Sequence, residues 1–151
     1  MSAETLFAAA NATALIGWVL LAFAPLRRAA LVLGARIVAV GMAVLYAGLL
    51  IGAVTGGGAM EVDFTTLSGL TAGFARPEAV LVGWVHYLAF DLWVGAWAVE
   101  DAGRRGVPHW VMLPVLFLTL IAGPIGLLVY LALRTVLGLR EPGQKAAQGT
   151  A

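Results

Sequence analysis

Residues 77–99 read P-E-A-V-L-V-G-W-V-H-Y-L-A-F-D-L-W-V-G-A-W-A-V, and this stretch decides the fold class. It is long and apolar enough to cross about 30 Å of hydrocarbon as a helix. Yet His86 and Asp91 stand in its interior. An acid at the centre of a spanning helix costs about 2.5–3.5 kcal/mol on insertion scales, so it turns toward a protein interior or a wet cavity. These two are the first candidate functional-site residues.

The rest of the chain agrees with a bilayer setting. Of its 151 residues, 62% are hydrophobic and 11% charged, with a mean hydropathy of +0.96. Soluble domains carry roughly 25% charged residues. The class is an integral, multi-pass membrane protein, all-α, with no length left for a second sizeable domain. Cysteine is absent, which excludes disulfides, iron–sulfur clusters and thiolate zinc sites. Two histidines are too few for a di-iron membrane oxygenase, and no H-E-x-x-H, P-loop, G-x-G-x-x-G or nucleophile elbow is present. Neither a metal nor a cofactor is expected. A net charge of +1 gives no reason to expect nucleic acid as a partner. The first segment has no basic n-region and is too long an apolar run for a secretory signal.

Four apolar runs are long enough to span, at about 6–26, 29–54, 77–99 and 110–133. Short connections at 25–28 and 100–108 force antiparallel neighbours, so the expectation is a single four-transmembrane-helix bundle over 1–140. The second connection, 55–76, is longer. Gly56, Gly57 and Gly58 make a flexible hinge, and Phe64, Leu67, Leu70 and Phe74 recur at near-helical spacing, which predicts a short interfacial helix or re-entrant piece. Arg76-Pro77-Glu78 is a helix start, with proline in the first turn and an acid beside the positive end of the helix dipole. Residues 141–151 form a polar tail, predicted to be disordered. Let side A hold the first and third connections. It then carries Arg27, Arg28, Arg104 and Arg105, against Arg76, Arg134, Arg140 and Lys145 on side B. The positive-inside rule is tied, and orientation is open.

Helix rise places the polar residues in depth. Asp91 lies roughly 12 Å and Arg36 roughly 10 Å below side A, so contact between them is expected. That contact is either a plain helix clamp, with Arg36 snorkelling, or part of a site. His86, Asn11 and the Gly123-Pro124 break fall near one mid-depth level. Pro124 withdraws a hydrogen bond and frees the carbonyl of Leu120. The trio forms either a polar pocket floor or a helix-gluing contact. Five residues turn a helix by about 500°, so His86 and Asp91 point roughly 140° apart and cannot form a tight dyad. His86 shares a face with Phe90, Trp93 and Trp97, and Asp91 shares one with Trp84 and Tyr87. These rings serve packing and interface anchoring, or flank a conjugated apolar ligand. His109 sits at an interfacial position with no role assigned.

Three runs carry a family resemblance: G-W-V-H-Y-L-A-F-D-L-W-V-G-A-W at 83–97, G-V-P-H-W-V-M-L-P at 106–114 and G-P-I-G-L-L-V-Y-L-A-L-R at 123–134. Their order and spacing resemble the abscisic-acid-deficient-4-like (ABA4-like) family, whose plant members are membrane proteins needed to make neoxanthin from violaxanthin. The resemblance covers roughly 5–140 and is sharpest over the last two spans. It implies a lipid-soluble partner, a carotenoid or related isoprenoid, and acid–base isomerisation of the neoxanthin-synthase type. His86 and Asp91 take the catalytic roles, with Glu78 and Trp84 in support. The implied binding set is completed by Tyr87, Phe90, Trp93, Trp97, Asn11, Arg36 and Pro124. The Ala-, Gly- and Leu-rich style points to a bacterial cytoplasmic membrane, where the substrate can differ from the plant one. The alternatives are a carotenoid-binding or assembly protein without chemistry, and a small proton-coupled transporter with His86 and Asp91 as relay. The latter calls for an inverted repeat, and none is visible.

Overall fold

The computed structural model describes residues 2–55 and 63–136; the Gly56–Gly58 hinge and the 141–151 tail lie outside them. The described chain is all-helical: α1 (Ala3–Ala22), α2 (Arg28–Thr55), a short α3 (Leu67–Gly73), α4 (Pro77–Arg104) and α5 (His109–Val136). The 3-10 turn Ala24–Leu26 joins α1 to α2. By total length and composition alone, four of these helices are candidate membrane spans. Their positions agree with the expected spans.

Local chemistry explains the ends. Ser2 caps α1 by accepting from the Thr5 amide at 3.2 Å, and Thr66 caps α3 by accepting from the Gly69 amide at 3.1 Å. Asp63 organises the turn before α3, accepting from Thr65 N at 2.8 Å, Thr65 Oγ1 at 2.6 Å and Thr66 Oγ1 at 2.8 Å. Those donors, Thr65 first, hold its carboxyl below the usual carboxylate range. Helix α4 ends in a Schellman motif. Gly106 takes φ 75°, and the Val107 amide donates back to the Ala102 carbonyl at 2.9 Å.

Helix α4 is the hub: half of its most apolar window is buried, against 11% for α2. Small residues let α1 come close to it, as membrane helices require when solvent aversion no longer drives them together. Ala10, Ala14, Gly17 and Leu21 form the buried stripe of α1. A Cβ on Gly17 would overlap Leu92, and one on Gly95 would sit 2.9 Å from the Trp18 ring. His109 closes the side A end of α1 by bonding the Ala22 carbonyl at 3.0 Å.

The fourth long helix takes an unexpected path. Tyr130 Oη donates to Asp101 Oδ2 at 2.6 Å, and Arg134 Nη1 lies 3.4 Å from the same atom. Asp101 sits beside the α4–α5 connection, whereas a straight α5 would carry Tyr130 about 31 Å away from its start. The chain therefore reverses. The reversal is at Ala122, whose backbone (φ −149°, ψ 68°) leaves the helical region. Around that point a Cβ on Gly126 would run into the backbone of Thr119, a residue about 10 Å off in a continuous helix. Met112 and Val115 of the first arm share a core cluster with Tyr130, Val129 and Leu133 of the second. Helix α5 is thus a helical hairpin, arms 109–121 and 123–136, entering and leaving on side A. Each arm is about 20 Å long, too short for a 30 Å core, so the tip stops near mid-depth.

The cause is in the sequence. Pro124 lacks an N–H and its ring collides with the carbonyl four residues back, while proline suits the first turn of a new helix. The Leu120 carbonyl, freed as expected, accepts from Tyr87 Oη at 3.0 Å rather than from His86.

Candidate lipid-facing groove on helix α4

Helix α4 presents two faces that carry the expected site residues. On the first, Ala79, Val82, Gly83 and His86 line a cavity of about 210 Å³ with Tyr46, Leu50, Phe64 and Phe74. Higher on that face, Ala89, Phe90 and Trp93 line a second cavity of about 210 Å³ with Ala39, Val40 and Ala43 of α2. The two are consecutive along one helix pair. Residues 39, 43, 46 and 50 of α2 recur at helical spacing, as do 79, 82, 86, 89 and 93 of α4, and the helices run antiparallel. The His86 ring bridges the cavities, 4.6 Å from Phe90 and 5.3 Å from Tyr46 between centroids. His86, Phe90 and Trp93 are exposed in the isolated chain, so in a bilayer this groove opens to lipid.

The side A end of the groove is polar. Arg36 pairs with Glu100, and its guanidinium carbon lies 5.5 Å from the Trp93 ring centroid, a cation–π contact. Glu100 also meets Arg104 Nη1 at 3.5 Å. The expected Arg36–Asp91 contact is not formed, and helix geometry says why. Nine residues turn α4 by about 900°, so Glu100 and Asp91 stand on opposite sides, and α2 lies on the Glu100 side. Pairing upward also lets the long arginine keep its head near the interface.

Asp91 belongs to the second face. Its carboxylate packs against Gly123 at the hairpin tip, where a Cβ would overlap it, and its Oδ2 is buried without a hydrogen-bond partner. Tyr87, one turn earlier on α4, donates instead to the Leu120 carbonyl. The same face carries Trp84, whose Nε1 donates to Asn11 Oδ1 at 3.1 Å; its ring lies 5.6 Å from Phe7 and 5.4 Å from Tyr87.

The expected site residues therefore divide. His86, Phe90 and Trp93 line the groove, with Arg36 at its end. Asp91, Tyr87, Trp84 and Asn11 gather where α4 meets α1 and the hairpin. The mid-depth trio of His86, Asn11 and Pro124 is not assembled: Asn11 is taken by Trp84 and by the Phe7 carbonyl at 2.8 Å, and Pro124 lies at the tip. Trp97 leaves the His86 stripe and meets Tyr130 edge-on at 5.5 Å, because the returning arm of α5 covers that part of α4. Glu78 is exposed at the start of α4, away from the groove lining. Among the described residues no three His, Asp or Glu side chains converge for a metal.

Sequence reasoning missed one constellation. Asp101, 2% exposed, receives Arg105 Nε at 2.8 Å, Arg104 Nη2 at 3.3 Å, Tyr130 Oη and Arg134. It locks the returning arm of the hairpin to α4. The signal was a glycine–proline break dividing an apolar run into halves each too short to span.

Together these features define a small polytopic all-α membrane protein with an aromatic, lipid-open groove and a re-entrant helical hairpin. The chain belongs to the ABA DEFICIENT 4-like family, whose profile it matches over residues 5–130. No curated protein and no solved structure matches it.

Proposed function

We propose that the α2–α4 groove holds an elongated isoprenoid of the carotenoid class and that His86 exchanges a proton with it. The observation that carries this reading is the place of His86, an imidazole set between Tyr46 and Phe90 in an otherwise aromatic and aliphatic wall. Flat rings beside a proton-exchanging group suit a conjugated apolar substrate. Family membership supports a role related to neoxanthin and abscisic-acid biosynthesis. Isomerising an epoxide to an allenic alcohol is redox-neutral: one C–O bond breaks, a proton leaves the adjacent polyene carbon, and one is gained at oxygen. An imidazole takes a proton at one nitrogen and gives one at the other. Asp91, on the far face, keeps its catalytic assignment only if the substrate also reaches the hairpin tip. The setting we propose is a bacterial cytoplasmic membrane.

A broken helix with an acid at its break is the feature that favours the transporter reading. Here the carboxylate fills the break against Gly123, which argues against an open path.

The test is expression in a carotenoid-producing host, with the extracted pigments separated by chromatography. The parent chain is expected to change the pigment profile. His86→Gln is expected to abolish that change while the protein still accumulates in the membrane. A profile altered equally by parent and variant would remove His86 from the chemistry. Pigment that co-purifies unchanged with both would instead support a binding protein.

A further inference from the structure

The groove has one polar end, and that asymmetry reads as a ruler. We propose that the Arg36–Glu100 pair anchors the oxygenated end of the elongated ligand and so sets which part of it faces His86. This rests on the groove reading above and deepens it.

The helix register carries the argument. Arg36 precedes Ala39 and Val40 by one turn on α2, and Glu100 follows Trp93 by two turns on α4, so both continue the faces that line the groove. From Ala79 to Glu100 the face runs about 31 Å, close to the thickness of the hydrocarbon core. Over that length the walls are aromatic and aliphatic except at His86, the Tyr46 hydroxyl and the terminal pair. A hydrocarbon ligand would need no ion pair there, and a charged group at that depth is costly to keep. The pair is also not sealed: the side chains of Arg36 and Glu100 are 29% and 38% exposed. Arg36 Nε is buried without a partner, so Glu100 does not use up the guanidinium's donors. A hydroxyl fits both members, accepting from the guanidinium and donating to the carboxylate. An end group held there places the ligand atoms about 21 Å further along beside His86. Arg36 and Glu100 are thus positioning residues, and proton exchange falls to the far portion of the molecule.

The experiment uses the full chain in lipid nanodiscs and two probes of equal polyene length, one a pure hydrocarbon carotenoid and one hydroxylated at both end rings. Quenching of tryptophan fluorescence, with Trp93 in the groove wall, reports binding. The parent is expected to bind the hydroxylated probe about tenfold more tightly, the scale of a hydrogen bond to a charged group. The double variant R36L/E100L is expected to bind the hydrocarbon as before and the hydroxylated probe no better than the hydrocarbon. Should that variant not assemble, Arg36→Lys keeps a cation but loses the fork and is expected to reduce the preference. A parent without preference, or a variant that keeps it, would overturn the anchor and leave the groove standing. If neither probe quenches the parent, or if Ala43→Trp, which fills the groove, leaves binding unchanged, the groove reading falls and the anchor with it.

Discussion

The reversal of α5 is open to a direct test, because the chain has no cysteine of its own. Single cysteines can be placed at exposed Leu26, Thr71 and Thr135 and probed with a membrane-impermeant maleimide. A straight 28-residue α5 would be about 42 Å long and would carry Thr135 through the bilayer to the side of Thr71. A hairpin of two arms of about 20 Å returns Thr135 to the side of Leu26. The two paths differ by the full thickness of the membrane, so the labelling pattern leaves no middle result. The hairpin also breaks the charge tie. Among the described residues, Arg27, Arg28, Arg104, Arg105 and Arg134 now lie on side A and only Arg76 on side B, so the positive-inside rule predicts a cytoplasmic side A. In intact bacterial cells the Thr71→Cys protein is therefore expected to label, and the Leu26→Cys and Thr135→Cys proteins only after permeabilisation. Labelling of Thr135→Cys together with Thr71→Cys would refute the hairpin. An inverted pattern, with Leu26 and Thr135 outside, would keep the hairpin and refute the orientation.

The hairpin makes three energetic predictions. Tyr130→Phe removes a hydrogen bond to a charged acceptor and is expected to cost about 1.5–3 kcal/mol in unfolding from mixed micelles. Asp101→Ala is expected to cost more, about 3–5 kcal/mol, because it removes the buried acceptor shared by Arg105, Tyr130 and Arg134; a loss below that of Tyr130→Phe would contradict the lock. Gly123→Ala is expected to cost about 1–3 kcal/mol by overpacking against Asp91. The cost should largely vanish in an Asp91→Ala background, and additive effects in that double-mutant cycle would mean the tip does not close on the carboxylate.

The amino-acid sequence by itself determined the solvent and the elements. Apolar runs of spanning length, scarce charge and absent cysteine leave a helical membrane protein as the outcome, since lipid satisfies no exposed backbone group. Local rules also worked at single residues: Pro124 frees the Leu120 carbonyl, and the 140° between His86 and Asp91 sends them to different walls. The sequence could not tell which neighbour occupies each wall. Depth alone matched Arg36 with Asp91, but the side on which α2 packs made Glu100 the partner. Composition counted 110–133 as one crossing, because hydropathy measures how apolar a run is and is blind to its direction. Only the tertiary contacts of Asp101 with Tyr130 and Arg134 show that the run doubles back. That one reversal places the end of α5 on side A and decides the charge balance among the described residues.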